Sequence, residues 1–157
     1  MIWRVLLLTV ASPVFAEGLA VREGDVETAA VAACFDRAIE DGGTDCIGDV
    51  SNTCQRAPGG GTTMGVANCI MAERDIWENF REDQLKLKLA ELNERDDGSA
   101  EALRDAETAW LAYREAECLM RYLVWQRGTI RSILAAGCDL QLTARRAITL
   151  AKLGGRP

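Results

Sequence analysis

The side chains able to do chemistry in this 157-residue chain are carboxylates and sulfur, because histidine is absent altogether. That absence excludes Ser-His-Asp and Cys-His nucleophile systems and histidine-ligated metals together. Acid catalysis of the glycosidase kind needs one desolvated carboxyl with a raised pKa and a second carboxylate across a cleft. The acids here fall mostly on polar helix faces, the exception being Glu73, which interrupts an apolar stripe between Ile70 and Trp77. A buried acid needs a partner. Arg114 is a candidate: a hairpin folded at residues 96–98 sets it near the level of residue 80, with Glu73, Glu78 and Asp83 one or two turns away. A structural ion pair beside Trp77 and Trp110 is the preferred reading of that group, and Trp77, Trp110 and Tyr113 read as core aromatics rather than a ligand cage. No catalytic residue is assigned, and the chain is read as a binding protein, not an enzyme.

The six cysteines, Cys34, Cys46, Cys54, Cys69, Cys118 and Cys138, include no C-x-x-C pair. Zinc-ligand spacing and a thioredoxin-like motif are therefore both missing, and neither a metal nor any other cofactor is expected. Disulfides are the remaining reading, provided the chain leaves the cytoplasm. Its first sixteen residues point that way: Arg4 precedes the short apolar run Val5–Val10, Pro13 breaks it, and Val14 and Ala16 are small. This is the pattern of a signal peptide over 1–16, cleaved after Ala16, giving a periplasmic or secreted protein. The run is about half the roughly 20 apolar residues a membrane span needs, so no span is expected after cleavage. About 140 residues then remain, one domain's worth.

The formal net charge of −6 argues against a nucleic-acid partner. Acids dominate Glu17–Val50, whereas from Cys118 onward seven basic residues face only Asp139. Such runs usually solvate a helix face, but an acidic surface also steers a basic protein partner.

Helical periodicity without strand alternation predicts an all-α domain. Val26, Ala29, Ala30 and Ala33 form a weak stripe in the first segment, which ends near Gly42 and Gly43. Cys46, Val50 and Cys54 share one side of a short second helix, two turns or about 11 Å apart at the ends, too far for Cys46 and Cys54 to bridge. Pro58–Gly61 reads as a loop rather than a phosphate cradle, since the P-loop lysine and glycine spacing are missing, and Thr62 or Thr63 can cap a helix beginning there. Two long helices come next, separated at Asp96–Gly98, with Ser99 as the second cap. The first carries Val66, Cys69, Ile70, Glu73, Ile76, Trp77, Phe80, Leu85, Leu89 and Leu92, and the second Leu103, Ala106, Trp110, Tyr113, Met120 and Val124. A short connection makes them an antiparallel hairpin. A final helix, capped by Thr129, presents Ile133, Gly137, Leu140, Ala144, Ala147 and Ala151.

The stretch Ala106–Cys118 resembles the A-Q-x-x-W-x-x-Y/F-R-D/E-x-x-C signature of the LprI-type lysozyme inhibitor family. Cys69-x-x-x-Glu73 with Trp77-Glu78 resembles its opening helix, and Gly128-Thr129-Ile130, Cys138, Leu142-Thr143 and Arg146-Ala147 resemble its closing elements. The likeness runs from about Cys54 to Leu153. The chain departs from the pattern at Arg81, Glu82 and Leu85, where Leu, Asn and Tyr are usual, and at Glu107, where Gln is usual. The resemblance implies a small disulfide-stapled all-α domain on the long hairpin Met64–Gln126 with flanking helices. Residues 17–57 would add an N-terminal helical segment to a family-like domain over 58–157. It marks Glu73, Trp77, Trp110, Tyr113 and Arg114 as structural or binding positions, and lysozyme, a basic protein, as the partner. An envelope structural or interaction module without a lysozyme target is the alternative. Fifteen pairings of six cysteines are possible. Cys34 with Cys46, outside the family-like region, is the expected one, leaving the other four to pair among themselves.

Overall fold

A computed structural model describes residues 28–154. The leader expected over 1–16, its cleavage after Ala16, and Val26 all lie outside the described residues. Five helices follow in order: α1 (Thr28–Glu40), α2 (Asp49–Cys54), α3 (Thr63–Asn93), α4 (Ser99–Val124) and α5 (Arg131–Lys152), with no strand among the described residues.

The 31 residues of α3 form the spine, about 45 Å long at the helical rise. Its start is fixed by Thr62, whose hydroxyl accepts from the Gly65 N–H at 3.0 Å. The glycine loop ahead of it has a packing reason. A Cβ at Gly65 would meet the Gly59 carbonyl oxygen at 2.0 Å, and one at Gly60 the Cys54 carbonyl oxygen at 2.6 Å. The loop is thus pressed against the first turn of α3 and the end of α2. At the hairpin turn Gly98 adopts φ 79°, a left-handed conformation that glycine takes without strain.

α3 and α4 form the antiparallel hairpin, and α5 lies along both, packing most extensively on α3. The core joins Val31, Phe35 and Ala38 of α1, Ile70 and Trp77 of α3, and Ala136, Leu140, Ala144, Ala147 and Ile148 of α5. At its centre Phe35 stacks on Phe80 at 4.7 Å between centroids and meets Trp77 edge-on at 6.0 Å. Three bridges staple these elements: Cys34–Cys46 ties α1 to the turn before α2, Cys54–Cys69 ties α2 to α3, and Cys118–Cys138 ties α4 to α5. Each contributes about 2–4 kcal/mol by restricting the unfolded chain.

Several local expectations need correcting. In α1 the buried stripe is Val31, Cys34, Phe35 and Ala38, whereas Ala29, Ala30 and Ala33 face solvent. Bulky Val31 and Phe35 bury more apolar area than alanine and set the phase of the helix. Cys46 lies in the turn before α2 rather than in the helix. Ser99 is the first residue of α4, and its N–H is accepted by Asp97 at 3.0 Å. The cap of α5 is Ile130 rather than Thr129, and it offers no side-chain hydrogen bond. In α4 the buried residues are Ala100, Leu103, Glu107 and Cys118; Ala106, Tyr113, Met120 and Val124 are exposed.

Candidate functional site

Glu73 lies on the inward face of α3 and is 1% exposed. One carboxylate oxygen accepts from the Gly48 N–H at 2.8 Å and from the Trp77 indole N–H at 3.3 Å; the other accepts from the Ser51 N–H at 2.7 Å. The partner of the acid is therefore backbone and indole rather than Arg114. The carboxylate supplies the acceptors that the first turn of α2 would otherwise lack, since Gly48 has no side chain to cap it. Its charge also favours that helix end.

Arg114 reaches across the hairpin to Glu78 at 2.8 Å, the neighbour one turn beyond Glu73. The same guanidinium donates to the Thr143 hydroxyl at 2.9 Å and approaches Asp139 at 3.4 Å, both on α5. Glu78 also holds Arg81 at 2.8 Å, and Arg81 in turn holds Glu107 at 2.8 Å. The second Glu107 oxygen takes two donors from Arg146 of α5, at 2.9 and 3.1 Å. The result is an alternating chain Asp139–Arg114–Glu78–Arg81–Glu107–Arg146 that stitches α3, α4 and α5 together. Trp110 sits among its cations, with the guanidinium carbons of Arg114, Arg81 and Arg146 at 4.9, 5.6 and 5.8 Å from the ring centroid. Such contacts add cation–π attraction where water is excluded.

The electrostatics follow from this geometry. Burial opposes the charged form of Glu78, but hydrogen bonds and charge from Arg81 and Arg114 outweigh it and hold its carboxyl below the ordinary range. Burial likewise works against the Arg81 cation, and Glu78 with Glu107 more than compensates, raising its pKa above the ordinary arginine value. Arg81 and Glu107 are two of the positions at which the chain departs from the family-like pattern, and they are each other's partners. Each charge needs the other: a lone Arg81, 5% exposed, or a lone Glu107 would be an unpaired buried charge. Arg81, Glu107 and Arg146 were not assigned a joint role from sequence; the paired departures were the available signal, and Arg146 arrives from a third helix.

Of the other expected positions, Trp77 is fully buried, Trp110 half-buried, and Tyr113 53% exposed, so Tyr113 is not a core residue. Beside Arg114 opens a groove of about 820 Å³ between the first half of α3, the second half of α4 and the start of α5. Ala67, Met71, Leu111, Leu119, Tyr122 and Ala135 give it an apolar lining, with Arg114, Glu115 and Asp139 as its charged members. The Cys118–Cys138 bridge joins its α4 and α5 walls. Among the described residues no group of three potential metal ligands converges, and no helix is long and apolar enough to cross a membrane.

Fold and geometry together define a three-disulfide helical domain whose buried acids are occupied by internal donors and whose exposed feature is an apolar groove. The family model for the lysozyme inhibitor LprI matches residues 54–150, and the chain belongs to that family. It is also similar to an uncharacterized protein of Rhizobium meliloti (strain 1021), 34% identical over 56 residues. That similarity covers 36% of this chain and 40% of the relative, so the chain spans less than half the length of the curated relative it matches. No solved structure matches the chain.

Proposed function

We propose that this chain is an exported binding protein of the cell envelope that occludes a lysozyme by contact, without turnover of its own. Family membership supports the class of partner, and the groove beside α4 is the observation that carries the reading to a place on the molecule. Its apolar wall and charged members have the make-up of a small protein–protein contact, in which a few anchors supply most of the affinity. The net charge of −6 would draw a basic lysozyme toward the surface and raise the rate of encounter. The leader expected over 1–16 would place the protein where such an enzyme arrives.

The test is the rate at which a lysozyme clears a cell-wall suspension, with the oxidised chain lacking residues 1–16 added in increasing amounts. Clearing should slow as the protein approaches equivalence with the enzyme. Leu111→Gln, which removes an apolar side chain from the groove, should weaken inhibition roughly tenfold with the helical spectrum unchanged. Unchanged clearing at micromolar excess of the parent protein contradicts the reading, and recovery of another envelope protein from a pull-down would then favour an interaction module without a lysozyme target.

A further inference from the structure

The end of the bundle where α4 turns into α5 differs from the rest of the surface in both polarity and charge. Met120, Leu123, Val124, Trp125 and Ile130 crowd into eleven consecutive residues, and each is 45–67% exposed. Because the hairpin is antiparallel, Met64 in the first turn of α3 opens at the same end, 66% exposed. None of the six lines the groove beside Arg114. Between Glu117 and Asp139 the chain carries Arg121, Arg127 and Arg131 and no acid, and from Cys54 to Ala72 its one charged residue is Arg56. Arg121 is spent on Glu117 at 2.9 Å. Arg131 donates to the Gln126 carbonyl at 3.1 Å and lies over the Tyr122 ring at 4.6 Å; Arg127 is exposed, and neither arginine is ion-paired with a described residue. The opposite end of the hairpin, about 45 Å away along α3, holds six acids against two bases over residues 90–105. An apolar cluster of this kind on an otherwise charged surface marks an interaction site rather than ordinary scatter.

We propose that this tip docks on the surface of an anionic phospholipid bilayer, its apolar side chains entering the headgroup layer while Arg127 and Arg131 meet lipid phosphates. Direction favours a bilayer over a protein partner. Leu123, Val124 and Trp125 are successive residues, about 100° apart, and so spread over about 200° of the helix circumference. A groove on a partner protein meets one face of a helix, whereas a fluid apolar layer receives side chains from all sides of an inserted tip. The indole of Trp125 has an apolar body and a polar N–H, the combination that settles at headgroup level. Charge selects the lipid: a guanidinium fork matches phosphate, and basic residues beside an apolar anchor are drawn to an anionic membrane surface. The net charge of −6 works against approach from a distance, but salt screens it within about 8 Å. The acids gathered at the far end of the hairpin then turn the tip, and not the Asp96–Gly98 turn, toward the surface. The tip lies outside the groove and no lysozyme enters the contact, so its outcome is independent of the function proposed above.

Flotation of the oxidised chain lacking residues 1–16 with vesicles of phosphatidylglycerol and phosphatidylcholine reads the association directly, with pure phosphatidylcholine vesicles as the neutral reference. The protein should bind the anionic vesicles roughly tenfold or more tightly than the neutral ones, and salt at about 0.5 M should release it. Tryptophan emission should move to the blue as the Trp125 indole leaves water, a shift that Trp125→Phe removes while binding persists. Val124→Glu should abolish flotation and Arg127→Gln should weaken it roughly fivefold, both with an unchanged helical spectrum because both side chains are exposed. Leu87→Glu, at a 62% exposed position about 34 Å along α3 from Met64, should float like the parent. Failure to float with anionic vesicles overturns the proposal, whatever protein the tip then captures. So does equal flotation with neutral vesicles, binding undiminished in Val124→Glu, or an emission maximum that bound vesicles leave unmoved.

Discussion

Replacing Glu107 by Gln removes one negative charge from the centre of the ion chain and leaves its shape intact. Glu107 is 5% exposed and takes donors from Arg81 and from Nε and one terminal nitrogen of Arg146. Breaking a buried pair by neutralising one partner costs about 3–5 kcal/mol, most of it the stranded charge. Arg81 keeps Glu78 at 2.8 Å, and the Arg146 side chain is 17% exposed, so water relieves part of the loss. The lower end, about 3 kcal/mol, is therefore expected. For a chain of this size that lowers the melting temperature by about 9 °C. Urea unfolding followed by far-ultraviolet dichroism, with disulfides intact, measures it as a fall in midpoint at constant slope. The double variant Arg81→Leu with Glu107→Gln removes both charges of the pair, and exchanging a buried pair for apolar or neutral side chains is often close to neutral. It should lie nearer the parent than the summed single variants, with a coupling of about 1–3 kcal/mol. A Glu107→Gln cost under about 1 kcal/mol, the range of exposed pairs, would contradict a desolvated ion chain, as would strict additivity.

Glu73→Gln should cost about 3 kcal/mol, because an amide can meet the Gly48 and Ser51 N–H groups with only one of its two ends; hydrogen exchange, slow at both amides in the parent and fast at one of them in the variant, checks it. The carboxyl of Glu78 is held below the ordinary range, so its contribution to stability is complete above the unfolded-state value of about pH 4.3 and is lost as pH falls through the folded value. Glu78→Gln should accordingly flatten the acid limb of a stability–pH profile measured below about pH 4.3. Replacing both Cys118 and Cys138 by Ser should cost about 2–4 kcal/mol and loosen the second half of α4, seen as faster exchange over residues 111–124.

The helix boundaries were legible because punctuation is local: Asp96–Gly98 and Pro58–Gly61 break helices through their own backbone preferences. Which face of a helix turns inward was less legible. In α1 alanine counts as apolar but contributes little burial, so Val31 and Phe35 set the phase. α4 holds two competing stripes, and the one turned inward is the more polar, carrying Glu107 and Arg114. Apolar counting favours the other side and drew Tyr113, Met120 and Val124 into a core they do not join. What fixes the inward face is the Cys118–Cys138 bridge and an ion chain that closes only when α5 supplies Arg146 and Asp139. Hairpin register brought Arg114 to Glu78 within the reach of one side chain, whereas no local pattern linked Glu73 to the turn before α2. That contact joins residues 25 apart through a short loop whose path is set by Gly60 and Gly65.

Calorimetric titration of a lysozyme with the oxidised protein asks most directly whether the molecule works by contact. Occlusion by binding predicts saturable heat ending at a fixed molar ratio, loss of cell-wall clearing at that same ratio, and recovery of activity on dilution. Absence of heat at micromolar concentrations, or clearing that continues in the saturated mixture, would contradict it.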